Sequence, residues 1–374
     1  MSKFRFSAPC HFGLEKTLSF EIKKAGGEDI TVTDGRVCFS GDAAVCARAN
    51  ILSRTAERIN IVLGEFRAET YDDIFAGIEK LPLSDFIGKN DAFPNNGHSL
   101  NSKLTSIPAC QKRVKLAMAR NLGKAYGLER MPENGAERKI RFSIMKNIFT
   151  LTLDTSGEGL HKRGYRRESN AAPIRETLAA GIVDLARVRA GDTVLDPFCG
   201  SGTILIESAM KALNIAPGLN RHFSGENFPF LPKKVWENAR EEARSLIKTD
   251  ADFSGIGFDI DENCVELTRQ NAKLAGVDKF ITVKKRDIRD FSFPEMPAKI
   301  ITNPPYGERM LELSDARELY KIMGERLRPL GENQLYVITP DEEFEGIFGE
   351  KSDKNRKLYN GMMKARLYIY LNSK

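Results

Sequence analysis

The chain has 374 residues, 57 Lys and Arg against 51 Asp and Glu, and a formal net charge of +6. This length suits two or three domains with their own cores, and the mild basicity is compatible with a nucleic-acid partner. Six scattered cysteines (Cys10, Cys38, Cys46, Cys110, Cys199, Cys264) without a C-x-x-C pair, four dispersed histidines and no apolar run near 18 residues argue against disulfides, a metal site and a membrane span, and fit a reducing cytoplasm. The N-terminus has no apolar core, so no signal peptide is expected.

Up to about residue 155 the expected elements are short and mixed. "TLSFEIKKAG" reads as a helix closed by Gly26-Gly27, and "DITVTDGRVCFSG" as a hairpin turning at Asp34-Gly35. "AAVCARANILSRTAERINIVLGEFRA" is a helix running into a strand. "QKRVKLAMARNLGKAYG" is a helix with apolar residues at Val114, Leu116, Ala117, Ala119 and Leu122 and an opposite basic face of Lys112, Arg113, Lys115, Arg120 and Lys124. "RKIRFSIMKNIFTLTLDTSG" gives two strands around Lys146-Asn147. This is an α+β region, with expected units at 1–55 and 56–160.

From about residue 170 strands and helices alternate. "DTVLDPF", "FSGIGFDID", "ITVKKRDIRDF", "AKIITNPPY" and "NQLYVITP" read as strands, with helices such as "TILIESAMKAL", "ENCVELTRQNAKLAG" and "ARELYKIMGERL" between them. A closing hairpin is expected in "RKLYNGMMKARLYIYL", turning at Asn360-Gly361, and residues 214–252 look like an insertion. The expected fold of 161–374 is α/β: a Rossmann-like, mostly parallel sheet with an antiparallel C-terminal hairpin.

Four landmarks follow successive strands: "DPFCGSGT", Asp259, Asp287 and "NPPY" at 303–306. In open α/β sheets ligands bind at those strand ends. Gly200 and Gly202 permit close approach of backbone to a ligand, and Asp259 is placed to accept from a ribose diol. No G-x-G-x-x-G or G-x-x-x-x-G-K-[ST] motif is present, so a nucleoside cofactor without polyphosphate fits, with S-adenosylmethionine the obvious candidate. Asp287 is then a candidate acceptor for the adenine amino group. Asp196 would bind the methionine ammonium or order the loop. Asn303 and the Pro304 carbonyl could both accept from an amino group whose lone pair is delocalised, steering that lone pair towards the methyl donor. Tyr306 offers a face for a flipped-out base. Cys199 reads as packing under the loop rather than as a nucleophile.

"LHKRGYR", "APIRETLAAGIV", "LDPFCGSGTILIESA", "TNPPYGERM" and "DKNRKLYNG" together resemble the THUMP-containing class I RNA methyltransferases. The likeness is to the bacterial group that methylates guanine N2 in 23S ribosomal RNA, and it extends over nearly the whole chain. "PCHFGLE" and "HSLNSKLTSIPACQKRVKLAMARNL" are similar to that family's ferredoxin-like and THUMP units. The resemblance implies a target pocket of Asn303, Pro304, Pro305 and Tyr306. It implies a cofactor site of Asp196, Phe198, Gly200, Gly202, Thr203, Asp259 and Asp287. The chain is too short for the second methyltransferase domain of larger members.

RNA, as large-subunit ribosomal RNA or an assembling particle, is the expected partner, with no membrane and no metal. Lys162, Arg163 and Arg166 are expected to meet phosphates and Tyr165 to stack a base; Lys103, Lys112 and Lys115 mark an N-terminal RNA surface. A tRNA guanine-N2 enzyme is the nearest alternative, then adenine-N6 or protein glutamine-N5 methylation. A catalytically dead RNA-binding protein is the reading from a different class.

Overall fold

The computed structural model describes residues 3–166, 174–306, 313–360 and 363–371. The N-terminal half runs β1 (Phe4–Pro9), α1 (Glu15–Lys24), β2 (Glu28–Thr33), β3 (Arg36–Gly41), α2 (Ala43–Leu52), β4 (Asn60–Arg67), α3 (Tyr71–Glu79), β5 (Asn95–Leu100), α4 (Ile107–Tyr126), β6 (Ile140–Met145) and β7 (Ile148–Asp154). Its seven strands form one sheet in the order β2-β3-β1-β4-β7-β6-β5. β4 is the hinge of the architecture: it pairs antiparallel with β1 on one side and with β7 on the other. The first and second expected units thus share a continuous sheet. Asp34 and Gly35 turn the β2–β3 hairpin, with Thr33 opposite Arg36, and Gly35 takes the left-handed φ of +72° that this tight turn requires.

The second half continues with α5 (Glu176–Leu185), β8 (Thr193–Asp196), α6 (Thr203–Ala212), α7 (Lys233–Ser245), β9 (Ser254–Asp259), α8 (Glu262–Ala275), β10 (Ile281–Lys285), β11 (Ala298–Thr302), α9 (Leu313–Leu327), β12 (Gln334–Thr339), α10 (Phe344–Phe348), β13 (Lys354–Asn360) and β14 (Met363–Tyr370). The sheet order is β10-β9-β8-β11-β12-β14-β13, parallel through β12 and antiparallel in the final hairpin. The central strands read as near-continuous apolar runs because helices cover both faces. The strand order reverses between β8 and β11, so loops diverge there and open a crevice. In the C-terminal hairpin Asn360 pairs with Met363; Gly361 of the expected turn lies outside the described residues, as do residues 307–310 of the "NPPYGERM" segment.

The 214–252 insertion has a structural task. Trp236, Phe223 and Phe228 are buried in the core of the N-terminal half, and Phe223 stacks on Trp236 with ring centroids 5.4 Å apart. Phe230 meets Phe4 and Phe86. The insertion therefore fastens the two halves together, and its aromatics do not reach the crevice.

Candidate active site

A cavity of about 580 Å³ opens at the C-terminal ends of β8, β9, β10 and β11. All four sequence landmarks line it, through Asp196, Phe198, Gly200, Ser201 and Thr203, Asp259, Asp287, and Asn303 to Tyr306, whereas Gly202 is not among the lining residues and faces α8. Gly202 takes φ +78° and starts α6; a Cβ there would stand 2.5 Å from Thr268 Cγ2, so only glycine fits. The loop is held from α8. Thr268 Oγ1 donates to the Gly200 carbonyl at 2.8 Å, and Asn271 Nδ2 to that of Ser201 at 2.9 Å. Neither Thr268 nor Asn271 stood out in the sequence, since nothing in a helical pattern marks a residue that braces a loop about 70 positions away.

Asp259 Oδ2 accepts from the Gly200 N–H at 2.9 Å and Oδ1 from the Asp261 N–H at 3.0 Å. A carboxylate has about four acceptor sites, so capacity remains for a ribose diol. Asp196 is 1% exposed, and its Oδ1 accepts from the Phe198 N–H and the Thr302 hydroxyl. Burial pushes its carboxyl up to about 7, with the nearby Asp259 charge adding to the effect and those two hydrogen bonds opposing it. Such an acid is poised to become an anion when a cation arrives. Asp287 caps the short turn 288–290 and accepts from Arg289 Nη1 at 2.9 Å, so Arg289 stands where the expected adenine contact would form.

Asn303 is half-buried and Pro304 buried at the end of β11, one residue after Thr302. Two successive prolines cannot extend the ladder and fix φ, which makes the turn stiff. Asp315, Glu318, Leu319 and Ile322 of α9 close the far wall. The Cys199 thiol is buried, and burial holds it well above its usual range; it packs beneath the glycine loop and is no nucleophile.

The candidate RNA residues divide. Arg163 and Tyr165 are corrected: they are 5% and 3% exposed and hold the buried Glu207 of α6, through the Tyr165 hydroxyl at 3.0 Å and Arg163 Nε at 3.3 Å. A buried carboxylate demands such partners, and this demand turned the basic motif inward. Arg166 also points inward, donating to Thr203 Oγ1 at 2.7 Å and to the Ile174 carbonyl. Lys162 is exposed beside Glu158. Lys103 pairs with Glu69, and Lys115 sits 3.7 Å over the Phe93 ring and pairs with Glu133. Lys112 is exposed.

The model of the RMKL-like methyltransferase domain matches residues 163–369, more than half of the chain. The chain belongs to this family. Models of the RlmL ferredoxin-like domain and of the THUMP domain match residues 5–60 and 68–154. The candidate RNA methyltransferase YpsC of Bacillus subtilis (strain 168) is 40% identical, over 99% of this chain and 96% of its own. The ribosomal RNA large subunit methyltransferase K/L of Cellvibrio japonicus (strain Ueda107) is 33% identical over 98% of this chain and 51% of its own, so the chain spans about half that relative's length. Among solved structures, SMU.472, a candidate methyltransferase complexed with SAH, superposes with a TM-score of 0.92 at 37% identity, over 100% of this chain and 99% of that one. A predicted N6-adenine-specific DNA methylase from Listeria monocytogenes str. 4b F2365 gives 0.91 at 41% identity, over 100% and 97%. In this RMKL-like methyltransferase, then, the cavity lies in the family's methyltransferase domain, and a THUMP domain precedes it.

Proposed function

We propose that this RMKL-like methyltransferase uses S-adenosylmethionine to methylate the exocyclic N2 amino group of a guanosine in large-subunit ribosomal RNA. The observation that carries the proposal is one cavity lined by both Asp259 and Asn303, a diol acceptor at the end of β9 and an amino-group acceptor after β11, the two strands that flank β8. The donor set suits the cofactor: carboxylates at Asp196, Asp259 and Asp287 repel polyphosphate but accept from an ammonium, a ribose and an adenine amine. The name of SMU.472's bound SAH supports it, as do the names of the K/L relatives for the RNA. We take residues 1–55, 56–160 and 161–374 as the ferredoxin-like, THUMP and catalytic units.

When bound, S-adenosylmethionine supplies an electrophilic methyl group. Asp196 would hold its ammonium, Asp259 its ribose hydroxyls and Asp287 its adenine amine once Arg289 yields that carboxylate; Gly200, Gly202, Phe198 and Thr203 shape the cradle. Asn303 Oδ1 and the Pro304 carbonyl accept from the two N–H bonds of the target amine, drawing its lone pair out of conjugation. Tyr306 stacks on the flipped base, and the Pro304-Pro305 turn fixes the geometry. The proton leaves after attack, so no strong base is required.

The test is methyl transfer from labelled cofactor to total RNA of a strain lacking the gene, with 23S, 16S and tRNA separated and digested to nucleosides. N2-methylguanosine in 23S is expected. The Listeria neighbour's name favours adenine N6 as the second reading; N6-methyladenosine as the sole product would overturn the guanine assignment.

A further inference from the structure

The C-terminal hairpin carries a cationic face that neither the core nor the cofactor site explains. In its register Lys357 stands directly opposite Arg366, and Tyr359 directly opposite Lys364. Residues opposite one another share a face of the sheet, so these four side chains lie together, while Leu358, Ala365 and Leu367 of the other face are buried. Lys357 and Lys364 are exposed, Arg366 is partly exposed, and the Lys357 ammonium is 5.3 Å from the centroid of Tyr359. Among the described residues one carboxylate answers the three cations: Glu342 pairs with Lys364 and lies 3.8 Å from Arg366. Like charges directly opposite on a sheet are destabilising. An anion arriving from solvent relieves that repulsion.

The face is aromatic as well as basic. Phe12, on the loop after β1, is 39% exposed, and its ring centroid is 5.5 Å from that of Tyr359 at 60°. The loop is seated there by close contact. Gly13 has φ +93°, a Cβ on it would lie 2.7 Å from the Lys357 carbonyl, and its own carbonyl accepts from Arg356 Nη1 at 3.4 Å. The N-terminal unit thus completes the surface of the catalytic unit's hairpin.

Position relates this face to the reaction. Thr302 pairs with Val337 and Thr339 with Arg366, so the hairpin continues past the same strand ends at which Asn303 stands. From β11 across β12 and β14 to β13 is three strand spacings, or about 14 Å. That distance is a few nucleotides of extended chain.

We infer that Lys357, Tyr359, Lys364 and Arg366, with Phe12, bind the single-stranded RNA flanking the target nucleotide. The cations meet its phosphates, and the two rings stack a base. The inference rests on RNA being the substrate. Anionic backbone answers the charge, and exposed bases answer the rings as an acidic protein would not.

The test uses the full chain and a fluorescein-labelled 12-nucleotide single-stranded RNA of mixed sequence, with its duplex as control. Lys357→Ala with Lys364→Ala should weaken single-strand binding about tenfold and flatten the dependence of log K on log salt by about 1.4, or about 0.7 per lost phosphate contact. Tyr359→Leu should lose about tenfold on the single strand and far less on the duplex, because only unpaired bases stack. Melting temperature and the thermal shift with S-adenosylmethionine should stay at wild-type values. Unchanged affinity and salt slope, in variants of a protein that methylates RNA, would remove the hairpin from RNA binding and leave the activity standing. Equal losses on single strand and duplex for Tyr359→Leu would overturn the stacking. A wild-type protein that neither binds nor methylates RNA would remove the substrate itself.

Discussion

The Thr302 hydroxyl donates to Asp196 Oδ1 at 2.7 Å, joining the last residue of β11 to the last of β8 inside the protein. Thr302 immediately precedes Asn303, and Asp196 begins the glycine loop, so one hydrogen bond couples the target-facing turn to the cofactor-facing one. Both side chains are essentially inaccessible to water. Thr302→Val keeps the shape and removes the donor. A hydrogen bond to a charged group contributes about 1.5–3 kcal/mol, so cofactor affinity should fall about tenfold or more, measured by calorimetry. An affinity within twofold of wild type would show that the bond is incidental.

Asn303→Ala should leave cofactor binding near normal and abolish most turnover. Removing one oriented polar group that acts only on the reacting amine typically costs on the order of 10² or more in rate. The comparison is single-turnover methyl transfer against the cofactor's thermal shift. A loss of tenfold or less would refute the acceptor role assigned to its side chain.

The fold was legible where pattern and chemistry coincide. The alternating strands and helices after residue 170, the Asp34-Gly35 hairpin and the strand-end landmarks all stand where the sequence places them, because each is local: a period, a turn dipeptide, a loop after a strand. The long-range tasks were not legible. Trp236 and Phe228 read as packing within an insertion, but nothing local shows that what they pack into is the N-terminal core. Arg163 and Tyr165 look like RNA ligands, but a buried carboxylate on another element, Glu207, claims both. Charge near an aromatic has the same sequence appearance whether it faces solvent or a buried acid. For the same reason the hairpin cations passed unnoticed: their clustering depends on the β13–β14 register.

Glu57 is a second case of hidden long-range work. It accepts from His11, Arg175 and Thr177, with His161 Nδ1 3.6 Å away, and so ties the N-terminal half to the start of the catalytic half. Burial acts to raise its carboxyl, but the hydrogen bond from His11, the nearby His161 ring, the charge of His11 when protonated and the Thr177 hydroxyl outweigh this and hold it well below the usual range. A depressed carboxylate contributes stability above its unfolded value, near 4.3, and loses it as pH falls through the lower folded value. Glu57→Gln should therefore destabilise the chain by about 1.5–3 kcal/mol at pH 7, as the loss of hydrogen bonds to a charged group does. The difference from wild type should shrink in acid. Urea unfolding at pH 7 and pH 4 measures both, and equal differences at the two values would contradict the charged strap.

Asp196 has the opposite sign. Its carboxyl is raised in the fold to about 7 from an ordinary value near 3.8, chiefly by burial. Between those values the unfolded chain has released the proton and the folded chain has kept it. Stability therefore declines as pH rises from about 4 to about 7 and is level above. Asp196→Asn removes the ionisation while its amide oxygen still accepts from Phe198 and Thr302. Without cofactor, the melting temperature of the variant relative to wild type should climb across that interval and then hold. With cofactor the order reverses. Wild-type affinity should strengthen as pH passes 7 and the carboxylate forms, whereas the variant should bind weakly and without that dependence. Parallel melting curves for the two proteins from pH 4 to 8 would mean that Asp196 is already ionised in the free protein. A pH-independent wild-type affinity would mean that its charge does not hold the ammonium.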